Sequence, residues 1–289
     1  MPPALTLEPL HRDFGVEVVG ADLRAFDDPG RFPALRAAFE THSLLLFRGQ
    51  HLSDQEQLAL GRRFGPLEDR IKRPEPKIAP VTNLRDDGRP APAEDSKTLS
   101  QQANQLWHTD STFLPKPALA NLLQARVVPQ SGGETEFVST RAGWRRLDSA
   151  LRERLRRTFF RHRYSHSRLQ ISEALSREHL VTQWDDQVWR AVWTNPVTGE
   201  EALYIASHVC AVEGVEAAEG EALVSGLLQA MTPAEAILRH SWQPGDVIIW
   251  DERATLHRGR PWNYEEPRLL ASICVTAGDA DGLESVRPN

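Results

Sequence analysis

His108 and Asp110 stand one residue apart in the stretch Trp107-His108-Thr109-Asp110. In an extended segment alternate side chains share a face, so an imidazole nitrogen and a carboxylate oxygen converge on one point while Thr109 turns away. One more histidine from elsewhere in the chain would complete a set of two histidines and one carboxylate. That set leaves three positions open on an octahedral ion and suits non-haem Fe(II), which must also bind a cosubstrate and oxygen. Trp107 and Phe113 are placed to wall the same point with apolar surface. A two-residue pattern is common by chance, and a hydrogen-bonded surface pair is its plainest explanation, so the surrounding chain has to decide.

The whole chain has 289 residues, 40% hydrophobic and 26% charged, an ordinary globular composition that reads as one domain over residues 1–289. A net charge of −6 supplies no basic field for nucleic acid or an anionic membrane, so a small anionic ligand has to be caught by local cations. Cys210 and Cys274 are the two cysteines, without the spacing of a disulfide framework or a thiolate zinc site, and they fit a reducing cytoplasm. No leader pattern opens the chain and no apolar run approaches the roughly 20 residues of a membrane span, which points to a cytoplasmic, unexported protein.

The elements that must position His108 and Asp110 are legible in part. Residues 15–23 alternate as a strand, Pro33 opens a helix, and Ser43 to Phe47 form a short buried strand. Ser53 and Glu56 make a capping box for a helix that runs to Arg63 and stops at Gly65-Pro66. Residues 70–102 carry five prolines and dense charge, and they read as an irregular active-site loop, with Arg70 and Lys72 among its cations. A strand follows over 117–128, then a Gly132-Gly133 turn, then a helix capped at Ser139 or Thr140 with Trp144, Leu147, Leu151 and Leu155 on one side. Residues 162–199 lack a period and read as an insertion, in which His162, His166 and His179 have hydrogen-bonding roles and are not ligands. Leu203 to Ile205 read as a strand and Glu216 to Met231 as a helix. Thr232-Pro233-Ala234-Glu235 reads as a second capping box, Val247 to Asp251 and Arg268 to Val275 as apolar strands, and residues 278–289 as a loose tail.

Four patterns, the first of them containing His-x-Asp, agree in their spacing. Trp107 to Phe113 fits Trp-His-x-Asp-x-x-Phe, Gly132 to Thr135 fits Gly-Gly-x-Thr, Gly245 to His257 fits Gly-Asp-x(3)-Trp-Asp-x-Arg-x(3)-His, and Arg268 follows. Together they resemble the Fe(II)- and 2-oxoglutarate-dependent dioxygenases of the taurine dioxygenase and 2,4-dichlorophenoxyacetate dioxygenase group, over roughly residues 15–277, most closely its aryloxyalkanoate branch. The resemblance implies a mainly β protein with peripheral helices (α+β), built as a double-stranded β-helix or jelly-roll. It implies that His108, Asp110 and His257 ligate Fe(II), that Arg268 pairs with the distal carboxylate of 2-oxoglutarate, and that Thr135 adds a hydroxyl hydrogen bond. A surface ion pair of Arg268 with Glu265 or Glu266 is the alternative for that residue. Molecular oxygen is the second cosubstrate, succinate and carbon dioxide the coproducts, and a carboxylate at Asp110 favours hydroxylation over halogenation.

Taurine-oxidising members carry an arginine where this chain has Ser272. The resemblance therefore implies a small carboxylate-bearing substrate of aryloxyalkanoate type, cleaved at its ether bond to a phenol and a keto acid. Asn104, Arg70, Lys72, Trp107 and Phe113 are the residues expected to touch it. The same chemistry on an alkyl sulfonate, a sulfate ester or an amino-acid derivative stays open, as does a non-catalytic metal-binding jelly-roll sensor. A homo-oligomer is expected.

Overall fold

The computed structural model describes residues 5–70 and 75–288. Its centre is a seven-stranded sheet in the order Thr6–Pro9, Val16–Val19, Leu44–Phe47, Val247–Asp251, Ala118–Val127, Leu269–Thr276, Ala79–Thr82. Every neighbouring pair is antiparallel except Val16–Val19 with Leu44–Phe47. A second sheet of three strands, Leu238–His240, Thr135–Ser139 and Thr255–Gly259, lies against it.

The central strands are buried on both faces, which is why they read as nearly continuous apolar runs. Alternation still sorts their side chains. Leu45, Phe47, Leu122 and Ile249 pack in one cluster with Leu35 and Phe39 of the helix Phe32–His42 and Leu60 of the helix Asp54–Phe64. Leu44, Leu46, Leu123, Ile248 and Trp250 point the other way, into a cluster that includes Phe137 of the second sheet. The inner face of the large sheet therefore looks toward the second sheet, and the polar residues on it, Asn121, Ser272 and Cys274, line a cavity between the two.

The Ser53–Glu56 capping box is present: the Glu56 amide donates to the Ser53 hydroxyl and the Ser53 amide to the Glu56 carboxylate. Hydrogen bonds from the Ser53 amide and hydroxyl, with Arg24 beside them, bring Glu56 down to about 2. The second box is absent. A single 3-10 turn, Ala234–Ala236, follows Pro233, and the Thr232 hydroxyl donates backward to the Leu228 carbonyl, closing the preceding helix Ala217–Met231.

Other expectations are corrected by tertiary context. Residues 70–102 are not wholly irregular: Ala79–Thr82 joins the sheet edge, where Pro80 costs no ladder bond that an inner strand would need, and Ser96–Ala103 is a helix capped by Asp95. The helix after Ser139 is two helices, Thr140–Arg146 and Ser149–Arg156, because Asp148 caps a new start. Residues 162–199 hold three short helices, Tyr164–Leu169, Glu173–Ser176 and His179–Thr182, and the strands Gln187–Arg190 and Val192–Thr194. His162 is buried with neither ring nitrogen hydrogen-bonded, so its expected polar role is not found. Residues 203–205 hold only the end of a strand, Glu201–Leu203. The tail is not loose: two 3-10 turns fold it back, burying Leu283 and Val286 in the core. Among the described residues no helix is long and apolar enough to cross a membrane.

Candidate active site

His108 and His257 meet across an isolated antiparallel bridge. The His108 amide donates to the His257 carbonyl at 3.0 Å and the His257 amide returns to the His108 carbonyl at 2.9 Å. This reciprocal pair sets the two imidazoles side by side, with ring centroids 4.1 Å apart. Trp107 to Phe113 is not a continuous strand. Thr109 turns away, donating its hydroxyl to the Ile205 and Thr255 carbonyls, while Asp110 faces the histidines; the chain then turns, with Ser111 in the left-handed region at φ 62°.

One carboxylate oxygen of Asp110 lies 3.8 Å from Nε2 of His108, and the other lies 3.8 Å from Nε2 of His257. All three candidate ligand atoms lie within 4.8 Å of one another, the spacing that a single ion can span. The tautomer of His108 follows from its hydrogen bond: Nδ1 donates to the Leu106 carbonyl at 2.7 Å and leaves the Nε2 lone pair facing the point of convergence. Burial drives both imidazoles toward the neutral form, His257 to about 3. Burial alone would raise Asp110, but the adjacent imidazoles and Arg70 outweigh it and keep the carboxylate well below its usual range. Asn121 fixes the anion further, donating to Asp110 Oδ2 at 2.7 Å. Two buried, neutral imidazoles and one ionised, half-buried carboxylate, converging on one point, are the donor set of a divalent transition metal, so the residues present fit Fe(II).

Glu252 lies behind this set. It accepts the Asp110 amide at 2.9 Å and stands 3.9 Å from His257 Nδ1. Burial, reinforced by the charge of Asp110, raises its pKa well above the usual carboxylate range.

The three residues open into a cavity of about 380 Å³. At one end Arg268 is 4% exposed, donates through Nε and Nη2 to the Gly133 carbonyl, and lies over the Trp262 ring at 4.9 Å. It has no carboxylate partner among the described residues. The surface ion pair with Glu265 or Glu266 is therefore ruled out, and the Glu266 side chain instead accepts the Gln130 amide. Thr135 faces the same cavity; its hydroxyl oxygen accepts the Trp242 indole N–H at 2.9 Å, which leaves its proton free to donate.

The expected substrate residues divide. Asn104, at the end of the helix Ser96–Ala103, and Arg70 line the cavity. Arg70 is engaged: it is ion-paired with Glu68, donates to the Ser111 hydroxyl at 3.0 Å and covers the Phe113 ring at 5.4 Å. Lys72 lies outside the described residues. Trp107 and Phe113 do not line the cavity. Trp107 packs outward beneath Arg258, and Phe113 is buried behind Tyr164, stacked on it at 4.0 Å. Residues that sequence reasoning missed are Asn121, Tyr164, Arg168 and Glu252. Asn121 had a usable signal, a polar residue within an apolar strand, whereas Tyr164 and Arg168 sit in the segment without a period.

Comparison with known proteins places this geometry. Residues 6–274 match the family described as "Taurine catabolism dioxygenase TauD, TfdA family". The chain is 35% identical over 278 residues to an (S)-phenoxypropionate/alpha-ketoglutarate-dioxygenase of Sphingobium herbicidovorans, covering 93% of this chain and 94% of the relative. It is 34% identical over 275 residues to an alpha-ketoglutarate-dependent 2,4-dichlorophenoxyacetate dioxygenase of Cupriavidus pinatubonensis, covering 92% and 96%. The crystal structure of AAD-2 in complex with Mn(II) and N-oxalylglycine superposes with a TM-score of 0.88 at 31% identity, covering 94% of this chain and 98% of that one. With its convergent His–Asp–His cluster opening beside an arginine that has no carboxylate partner among the described residues, the chain belongs to the TauD, TfdA family of dioxygenases.

Proposed function

We propose that this protein is an Fe(II)- and 2-oxoglutarate-dependent dioxygenase that hydroxylates a small aryloxyalkanoate at the carbon next to the ether oxygen. The single observation that carries the reading is the pairing, in one cavity, of a convergent His108–Asp110–His257 set with a buried Arg268 that lacks a carboxylate partner among the described residues. His108, Asp110 and His257 hold the iron. Arg268 takes the distal carboxylate of 2-oxoglutarate through its guanidinium fork, and the Thr135 hydroxyl donates to the same group. The mixed sheets are the two faces of a double-stranded β-helix, and Arg70 with the described residues 75–102, edge strand and helix included, borders its active site.

When bound, the metal and its cosubstrate supply oxidative decarboxylation to succinate and carbon dioxide, coupled to oxygen insertion into a C–H bond. This chain's own residues do the rest. Asn121 and the Asp110 amide contact to Glu252 hold the carboxylate ligand at one angle. The Leu106 carbonyl holds the tautomer of His108. Leu123, Leu270 and Trp250 exclude water from the inner face of the cavity. Hydroxylation beside an ether oxygen gives a hemiacetal, which collapses to a phenol and a keto acid without further help.

Incubation with Fe(II), 2-oxoglutarate, oxygen and a panel of phenoxyacetates and 2-phenoxypropionates tests the reading. Phenol and succinate are expected to appear in equal amounts. Succinate without phenol from any member of the panel, but with turnover of an alkyl sulfonate or sulfate ester, would move the substrate class while leaving the chemistry intact.

A further inference from the structure

Five cations line the cavity: Arg70, Lys77, Arg168, Arg260 and Arg268. Four are accounted for. Arg70 is ion-paired with Glu68, Lys77 is exposed, Arg260 faces the Glu136 carboxylate at 3.8 Å, and Arg268 belongs to the cosubstrate end. Arg168 is different. It is 7% exposed, on the short helix Tyr164–Leu169, and has no ion pair among the described residues. The residues outside the described ranges carry no acidic side chain that could supply one. Its hydrogen-bond partners are neutral: Nη2 donates to the Tyr164 hydroxyl at 2.9 Å and Nη1 to the Ser167 hydroxyl at 3.3 Å. Its guanidinium lies over the Tyr164 ring at 4.4 Å, and those two hydroxyls are the hydrogen-bond partners of its side chain among the described residues. A buried guanidinium with neutral partners is costly unless an anion arrives to meet it.

The position is also informative. Tyr164 stacks on Phe113, and His208, which contacts the rings of both His108 and Tyr164, accepts or donates through Nδ1 at the Ser167 hydroxyl. Arg168 therefore stands on the His108 side of the metal set, while Arg268 stands at the Gly133 turn. The cavity thus has two separate cationic ends.

We propose that Arg168 is the residue that binds the substrate's acid group, with Tyr164 fixing the guanidinium plane and offering an aromatic wall to the body of the substrate. This rests on the reading of the protein as a dioxygenase of small anionic substrates, and it replaces Arg70 and Lys72 as the anchor. Arg70 serves the metal side instead, where it neutralises Glu68 and supports Asp110.

The test is calorimetric titration of the anaerobic Mn(II)–2-oxoglutarate protein with 2-phenoxypropionate, its neutral amide, hexanesulfonate and hexyl sulfate. Arg168→Gln is expected to weaken whichever acid the wild type binds by about 30-fold, and Arg168→Lys by about 5-fold, as loss of a charge-assisted fork requires. Amide binding is expected to change less than about twofold. Cosubstrate affinity, governed by Arg268, reports on folding; if Arg168→Gln fails that control, Arg168→Lys gives the answer. Acid affinity within twofold of wild type in the folded variants, or equal losses for acid and amide, would overturn the assignment while leaving the aryloxyalkanoate reading untouched. Binding of the sulfate ester alone, lost in Arg168→Gln, would support Arg168 and overturn that substrate class. Wild-type binding of none of the acids would overturn both.

Discussion

Burial, opposed by Tyr264 and the Glu134 carboxylate but not offset by an ion pair among the described residues, pulls the Arg268 guanidinium down to about 10, still protonated at neutral pH. For a base this direction is unfavourable to the folded state: the cost is fully present at neutral pH and is relieved only as the pH rises through about 10. A dicarboxylate seated at that end of the cavity removes the cost by pairing the charge. Saturating 2-oxoglutarate, with Mn(II), is therefore expected to stabilise the wild type by roughly 2–3 kcal/mol, an upward shift of several degrees in Tm. Arg268→Leu is expected to lose most of that shift, measured by differential scanning calorimetry. An unchanged ligand-induced shift in the variant would show that the cosubstrate is held elsewhere. His108, Asp110, His257, Thr135 and Arg268 were legible because each belongs to a motif of fixed local spacing. Arg168 was not, because what distinguishes it is the absence of a carboxylate neighbour, a property of three-dimensional surroundings.

At the scale of elements, the Gly132-Gly133 turn shapes the Arg268 end of the site. Both residues have positive φ, 76° and 69°, and Gly132 bridges to Trp262 while the Gly133 carbonyl receives Arg268. A Cβ on Gly132 would lie 2.6 Å from the Pro261 carbonyl oxygen, and one on Gly133 would lie 3.1 Å from Nε of Arg268. Gly132→Ala is expected to destabilise the protein by about 2 kcal/mol or more in urea denaturation and to raise the KM for 2-oxoglutarate, because the turn must shift against Trp262. A variant with wild-type stability and KM would contradict this account of the turn. The strong strands and the first capping box were readable because periodicity and capping chemistry are local. The edge strand Ala79–Thr82 was hidden by Pro80 and formed by pairing with Leu269–Thr276. The four- and six-residue helices of 164–182 are too short for a period, and helices of that length depend on tertiary packing.

At the scale of the molecule, the site is held by a closed set of long-range ties. Arg253, 2% exposed, donates to Glu40 at 2.6 Å, to Asp251 at 2.8 Å and to the Asp281 carbonyl at 3.1 Å, and Asn195 also donates to Glu40 at 2.6 Å. One buried network thus joins the first helix, the strand that precedes His257, the end of the segment 162–199 and the C-terminal tail. This is why the tail is ordered although its composition resembles a loose end. Across this frame the large sheet supplies Asn121, Ser272 and Cys274, and the second sheet supplies Thr135 and His257. The central claim is that the frame presents His108, Asp110 and His257 as one iron site beside a 2-oxoglutarate pocket. Anaerobic addition of Fe(II) and then 2-oxoglutarate, followed by visible absorption, tests it most directly. The account expects a weak visible charge-transfer band that requires both additions, is absent in Asp110→Ala at matched secondary structure, and bleaches with release of succinate when oxygen is admitted. No band in the wild type, or an undiminished band and succinate release in Asp110→Ala, would contradict it.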